Sequence, residues 1–192
     1  MKRSKFNLSN TQLLTGKMGQ LIPIGLHEVL PGDSFQHTAS ILARAMPLQT
    51  PVMHRVNMEV HHWFVPHRLV WGNWENFITG GPNGADASVF PTITYGTPTA
   101  ESSLEDYLGI PKGYIGDVSA LPFRGYALIF NEWYRDQDLT TALTVSTADG
   151  NDTTTNRSIQ YRSWGKDYFT TSRPWEQKGP AVTLPLGSTS LS

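Results

Sequence analysis

The sequence predicts a loop-rich, mainly β protein, and three observations carry that reading. Charged residues make up only 16 % of the 192 residues, against about 25 % in ordinary soluble domains. Glycine (17) and proline (13) are plentiful, which multiplies turns and keeps regular elements short. Between Val52 and Val65 apolar and polar residues alternate with the period of a strand. Such a chain is long enough for one domain with a real core. Its thin cover of charge suits a surface largely covered by neighbours.

Residues 1–19 are polar, carry the basic cluster Lys2, Arg3 and Lys5, and read as an arm ahead of a domain over 20–192. From Gln20, "QLIPIGLHEVLPGDSF" predicts a strand, a turn at Pro31, Gly32 and Asp33, and a second extended segment from Ser34 to about Arg44. Pro23 makes the first of these an edge or bulged strand. The alternation from Val52 onward places Val52, Val56, Met58, Val60 and Phe64 on one face and Arg55, Asn57 and Glu59 on the other, a long strand with one dry side. Pro66 ends it. "WGNWENFITGG" predicts a short helix over 73–78 closed by glycine, and 80–100 is turn-dense enough to predict an irregular excursion.

Ser102 followed by Glu105 predicts a capped short helix through Tyr107 and Leu108, stopped by Gly109 and Pro111. Pro122 sits where a first-turn proline belongs, and Phe123, Tyr126, Ala127, Phe130, Trp133 and Tyr134 share one helical face. Residues 140–158 read as an exposed polar loop, and "DYFTTSRPWEQKGPAVTLPLG" as extended chain broken by three prolines.

Several chemistries are disfavoured. Lys plus Arg (15) balances Asp plus Glu (16), so no whole-molecule field draws in a polyanion. The absence of cysteine removes disulfides, thiolate metal sites and cysteine nucleophiles. No run of residues reaches the length of a membrane span, and no export signal is recognisable. "HHWFVPHRLVW" gathers three of the six histidines, but His61 and His62 are adjacent and on a strand point to opposite faces, which argues against a shared metal. Glu132, Asp136 and Asp138 could supply an acid/base pair, yet no nucleophile elbow, phosphate loop or zinc helix accompanies them. No catalytic residue, metal or cofactor is expected. Large rings beside Arg, Pro or polar groups recur instead, in "HHWFVPHR", "WGNW", "NEWYRD" and "SRPWEQKG". Buried interfaces favour such residues, which nominates Trp63, His67, Arg68, Trp71, Trp133, Arg135, Arg173 and Trp175 as subunit contacts.

Four stretches in order, "GQLIPIGLHEVLPGDSF", "FVPHRLVWGNW", "IPKGYIGDVSALPFRGYALIFNEWYRDQDL" and "KDYFTTSRPWEQKGP", span Gly19 to Pro180. Together they resemble the N-terminal portion of the major capsid protein of the Microviridae, the small icosahedral single-stranded-DNA bacteriophages, and particularly its gokushovirus-like branch. The resemblance implies an eight-stranded viral jelly roll with long insertions, of which this chain supplies the first strands. It implies pentamers in a sixty-copy shell and no enzymatic site. It further implies packaged single-stranded DNA, contacted by Lys2, Arg3 and Lys5, a small basic DNA-associated protein and other virion proteins as partners, and contact with the bacterial host surface. The location implied is the virion, assembled in the host cytoplasm, with no membrane insertion. A competing reading from another class is a β-sandwich carbohydrate-binding or hydrolase-like module, using exposed tryptophans and paired carboxylates as a sugar platform.

Overall fold

A computed structural model describes residues 4–172 and Gly179. The described chain is mostly non-helical, with short helices α1 (His67–Val70), α2 (Trp74–Thr79), α3 (Leu104–Tyr107) and α4 (Leu121–Ile129), and two strands, β1 (Thr92–Tyr95) and β2 (Gly116–Ser119). The strands pair antiparallel, Thr92 opposite Ser119 and Tyr95 opposite Gly116. On the other edge of β1, residues 150–152 run parallel: Thr92 N donates to Gly150 O (3.1 Å) and Asp152 N to Thr92 O (2.7 Å).

β1 falls inside the stretch expected to be irregular. Its sequence Thr-Ile-Thr-Tyr has the β-branched and aromatic residues of a strand and buries Ile93 and Tyr95 on alternate positions, a signal hidden by the surrounding glycines and prolines. α3 forms one residue later than its expected cap: Ser103 Oγ accepts from Asp106 N (3.4 Å), while Asp106 Oδ2 accepts from Ser102 N (2.9 Å). Asp106 thus takes the place expected of Glu105, although its carboxylate reaches the amide of Ser102, one residue before the cap. Glu105 Oε1 accepts a hydrogen bond from the Tyr95 hydroxyl (3.0 Å).

Ile93, Tyr95, Leu104, Ala120 and Phe123 make one buried cluster, packed by Leu108, Ile110, Val118, Tyr126 and Ile159. Helix α4 starts with Pro122 in its first turn and sinks Phe123, Arg124, Gly125 and Ala127. It runs into a π-helical turn, Phe130–Tyr134, closed by Arg135 N donating to Phe130 O (2.8 Å). An i→i+5 bond admits an extra residue and rotates the chain beyond it. Phe130 stays buried, but Trp133 turns outward and is 63 % exposed. The expectation of a continuous apolar face through Trp133 fails at this turn.

The first third of the chain differs most from expectation. Residues 20–44 and 52–65 form no strand, apart from an isolated bridge between Gln20 and Tyr161. No residue from 4 to 64 is buried, and Val56, Met58 and Phe64 on the expected dry face are exposed. A half-buried strand needs a partner strand and a facing layer, and the described residues supply neither. The turn at Pro31 and Gly32 does form, with Asp33 N donating to Leu30 O (3.1 Å) and Asp33 Oδ2 accepting from Leu30 N (3.0 Å). Polar bonds tie the segment to the core. Leu21 N donates to Gln160 O (2.9 Å) and Arg162 N to Gly19 O (2.7 Å), and the Tyr107 hydroxyl donates to Thr15 O (2.6 Å). The Tyr126 hydroxyl donates to Leu21 O (3.0 Å) and accepts from Gln160 N (2.9 Å).

Candidate assembly surface

Residues 140–158 are not the exposed loop expected from their composition, because Asp152 and Thr155 are buried in the fold. Asp152 Oδ2 accepts from Arg124 Nε (2.7 Å) and from the Thr155 hydroxyl (2.6 Å), and Oδ1 from the amides of Thr154 and Thr155 (both 3.0 Å). Arg124 uses its remaining donors on Val70 O (3.0 Å), Ala148 O (2.9 Å) and Ser146 Oγ (3.4 Å). Burial alone would raise the Asp152 pKa, but the Thr155 hydroxyl and amide, with Arg124 and the Thr154 amide, outweigh it and hold the carboxyl at about 2. Asp149 is also held below the usual carboxylate range, by the Trp71 indole N–H and then by Asn73, whose amide lies 3.0 Å away. One α4 side chain thus binds the end of α1 and the 146–155 loop into a single support.

Two aromatic groups stand out in the described chain. In the first, Trp71 is fully buried and meets Trp74, Phe77 and Phe90 at ring separations of 4.8 to 5.9 Å, while His67 sits edge-on to Trp74 at 4.4 Å. Trp71, expected as a subunit contact, is instead part of this chain's own core, because its indole N–H is taken by Asp149 and its rings are enclosed. Arg68 is exposed on α1. In the second group the π turn aims Trp133 at Trp63, edge to face at 5.3 Å, with Tyr134 5.9 Å from Trp63. Trp63 is 42 % exposed.

The adjacent His61 and His62 take different partners. His61 Nδ1 hydrogen-bonds the Tyr134 hydroxyl (2.6 Å) and its Nε2 lies 3.4 Å from Glu59. His62 bonds instead to His37 (2.8 Å). Among the described residues no group of three or more His, Asp or Glu could hold a metal ion. No described helix is long and apolar enough to cross a membrane.

Arg135 bonds carbonyls of its own chain, Thr140 O (3.0 Å) and Asn131 O (3.4 Å). Asp136 pairs with Lys166 (3.1 Å). The Trp63 and Trp133 rings lie at 62° to each other. Lys5 is exposed; Lys2, Arg3, Arg173, Trp175 and most of the proline-broken C-terminal stretch lie outside the described residues.

The structure thus joins Trp63 to Trp133 and separates both from buried Trp71. The buried pair Arg124 and Asp152, which joins α1, α4 and the 146–155 loop, escaped sequence reasoning. Their visible signals were a lone arginine inside an apolar helix segment and an Asp-Thr-Thr-Thr run suited to side-chain-to-backbone turns.

The sequence profile of the family described as capsid protein (F protein) matches residues 1–191. The chain belongs to that capsid protein family. It is 40 % identical over 190 residues to capsid protein VP1 of Bdellovibrio phage phiMH2K, covering 97 % of this chain and 36 % of that protein. Similarity to capsid protein VP1 of Chlamydia phage 1 is 38 % over 211 residues, covering 96 % of this chain and 35 % of that protein. For capsid protein VP1 of Spiroplasma virus 4 it is 30 % over 207 residues, 96 % and 36 %. The chain therefore spans about a third of the length of these capsid family relatives. The likeness to the Microviridae capsid protein read from the four stretches holds along nearly the whole chain.

Proposed function

We propose that this chain serves as a structural part of the major capsid protein of a small single-stranded-DNA bacteriophage, and that it catalyses no reaction. The observation that carries the reading is the capsid family match along residues 1–191. The exposed apolar side chains between Phe6 and Phe64 support it, since uncovered apolar surface forfeits roughly 25 cal/mol per Å² and a shell covers such surface with neighbouring structure. In this reading residues 20–192 contribute strands and insertions to an eight-stranded jelly roll, assembled as pentamers into a sixty-copy shell in the virion, after synthesis in the host cytoplasm. The partners are other copies, packaged DNA, a small basic protein, other virion proteins and the host surface. Trp63, Trp133, His67, Arg68, Arg135, Arg173 and Trp175 are its contact residues. Residues 1–19 form the inward arm, where Lys2, Arg3 and Lys5 neutralise phosphates.

Electron microscopy and light scattering of the purified native assembly test this. Pentamers or closed particles are expected. A monodisperse monomer that binds glycans would replace this reading with the carbohydrate-binding one, and an arm found on the outer particle surface would remove its DNA role.

A further inference from the structure

We propose that Asn83 is a site of spontaneous, backbone-assisted deamidation in the folded protein. Asn83 is the only asparagine in the sequence followed by glycine. It lies exposed in the turn between α2 and β1, and no hydrogen bond to its side chain is found among the described residues. Gly84 adopts φ +67°, and nothing lies within 4 Å of where a Cβ would stand. The nitrogen of residue 84 can therefore be approached without a side chain in the way, on the residue type with the widest choice of backbone angles. Its one restraint is a bond from Gly84 N to Gly81 O at 3.3 Å, longer than well-formed N–H···O bonds.

The chemistry needs only water. Gly84 N loses its proton and attacks Asn83 Cγ, the new C–N bond closes a five-membered ring, and the Cγ–Nδ2 bond breaks. Ammonia leaves with a proton in place of the one lost. Water then opens the succinimide at either carbonyl, giving aspartate or isoaspartate with no change in oxidation state. Each product adds a negative charge three residues from Asp86, whose amide ties the loop to Gly80 O (3.1 Å). Isoaspartate also lengthens the backbone by one carbon and breaks the turn.

Asn151 provides the internal contrast. Its Oδ1 accepts from Thr94 N (3.3 Å), and the nitrogen that would attack it, that of buried Asp152, donates to Thr92 O (2.7 Å). The fold holds this pair apart.

The test is peptide mapping by mass spectrometry of the full chain, incubated at mildly alkaline pH both folded and in urea. Asn83 should convert first in the folded protein, at a rate within a few-fold of that in urea, while Asn151 converts only in urea. Asn83→Gln, whose imide would need a six-membered ring, should abolish the new acidic species in isoelectric focusing. An Asn83 that stays intact while Asn10 or Asn57 converts, or that folding slows by more than an order of magnitude, would overturn the proposal.

Discussion

Arg124 and Asp152, 28 positions apart, meet with Nε and Oδ2 2.7 Å from each other and both side chains wholly enclosed. Removing one partner strands a charge in the interior, which typically costs about 3–5 kcal/mol. Arg124→Met should therefore lower the chemical-denaturation midpoint sharply or leave the protein insoluble. The double change Arg124→Met with Asp152→Leu should recover part of the loss. Equal stability of the single variant and the parent would deny the pair its organising role.

The same carboxylate gives an acid limit. Its folded pKa of about 2 lies below the ordinary 3.8, so the stabilisation is fully present above pH 3.8 and is lost as pH falls toward 2. The difference is worth about 2 kcal/mol. Asp152→Asn should flatten that part of the pH–stability curve, read by circular dichroism across an acid titration.

Alkali acts through two phenols. Burial, first of all, pushes Tyr95 and Tyr126 up to about 12 from 10.0. A raised folded pKa favours the neutral form in the fold, so the contribution is complete below pH 10 and disappears as pH climbs toward 12. Tyrosinate absorbance should rise in two stages, the later one coinciding with unfolding. A single stage near pH 10 with structure intact would contradict this.

Tyr126→Phe should cost about 1–3 kcal/mol locally, because it leaves Leu21 O and Gln160 N without a partner. Hydrogen exchange should quicken at the amides of Leu21, Gln160 and Arg162 while α4 stays protected. Uniform acceleration across the chain would show that the hydroxyl supports the whole fold instead.

The π turn separates two aromatic residues that an unbroken helix would have grouped. Phe130→Ala should cost about 3–5 kcal/mol as a core truncation. Trp133→Ala, at an exposed site, should stay within about 0.5 kcal/mol yet lower particle yield in the proposed assembly. If the two variants unfold alike, Trp133 is covered within the single chain.

Local signals were legible in the sequence where a few adjacent residues decide the outcome. Pro122 announced α4, Gly80 closed α2, and Pro31, Gly32 and Asp33 made their turn. His61 and His62, adjacent in sequence, take separate partners and share no site. The failures depended on partners distant in sequence. The alternation from Val52 to Val65 marks a face suited to being covered, but periodicity cannot say what covers it. The polar loop looked solvated, and only its meeting with Arg124 made Asp152 an interior residue. The π turn likewise has no composition that marks it, so Trp133 was read onto the wrong side. Of the nominated contacts, the pairing of Trp63 with Trp133 and the burial of Trp71 both needed coordinates.

The ties between residues 15–21 and the core are hydroxyl–carbonyl and amide–carbonyl bonds at Tyr107, Tyr126, Leu21 and Arg162. Residues 4–19 are already exposed, so detaching this stretch carries a small heat-capacity change and a shallow denaturant dependence. Cooling, which weakens apolar packing, leaves such ties comparatively strong. Calorimetry of the isolated chain should then resolve a broad, low-enthalpy step ahead of the sharper melting of the core.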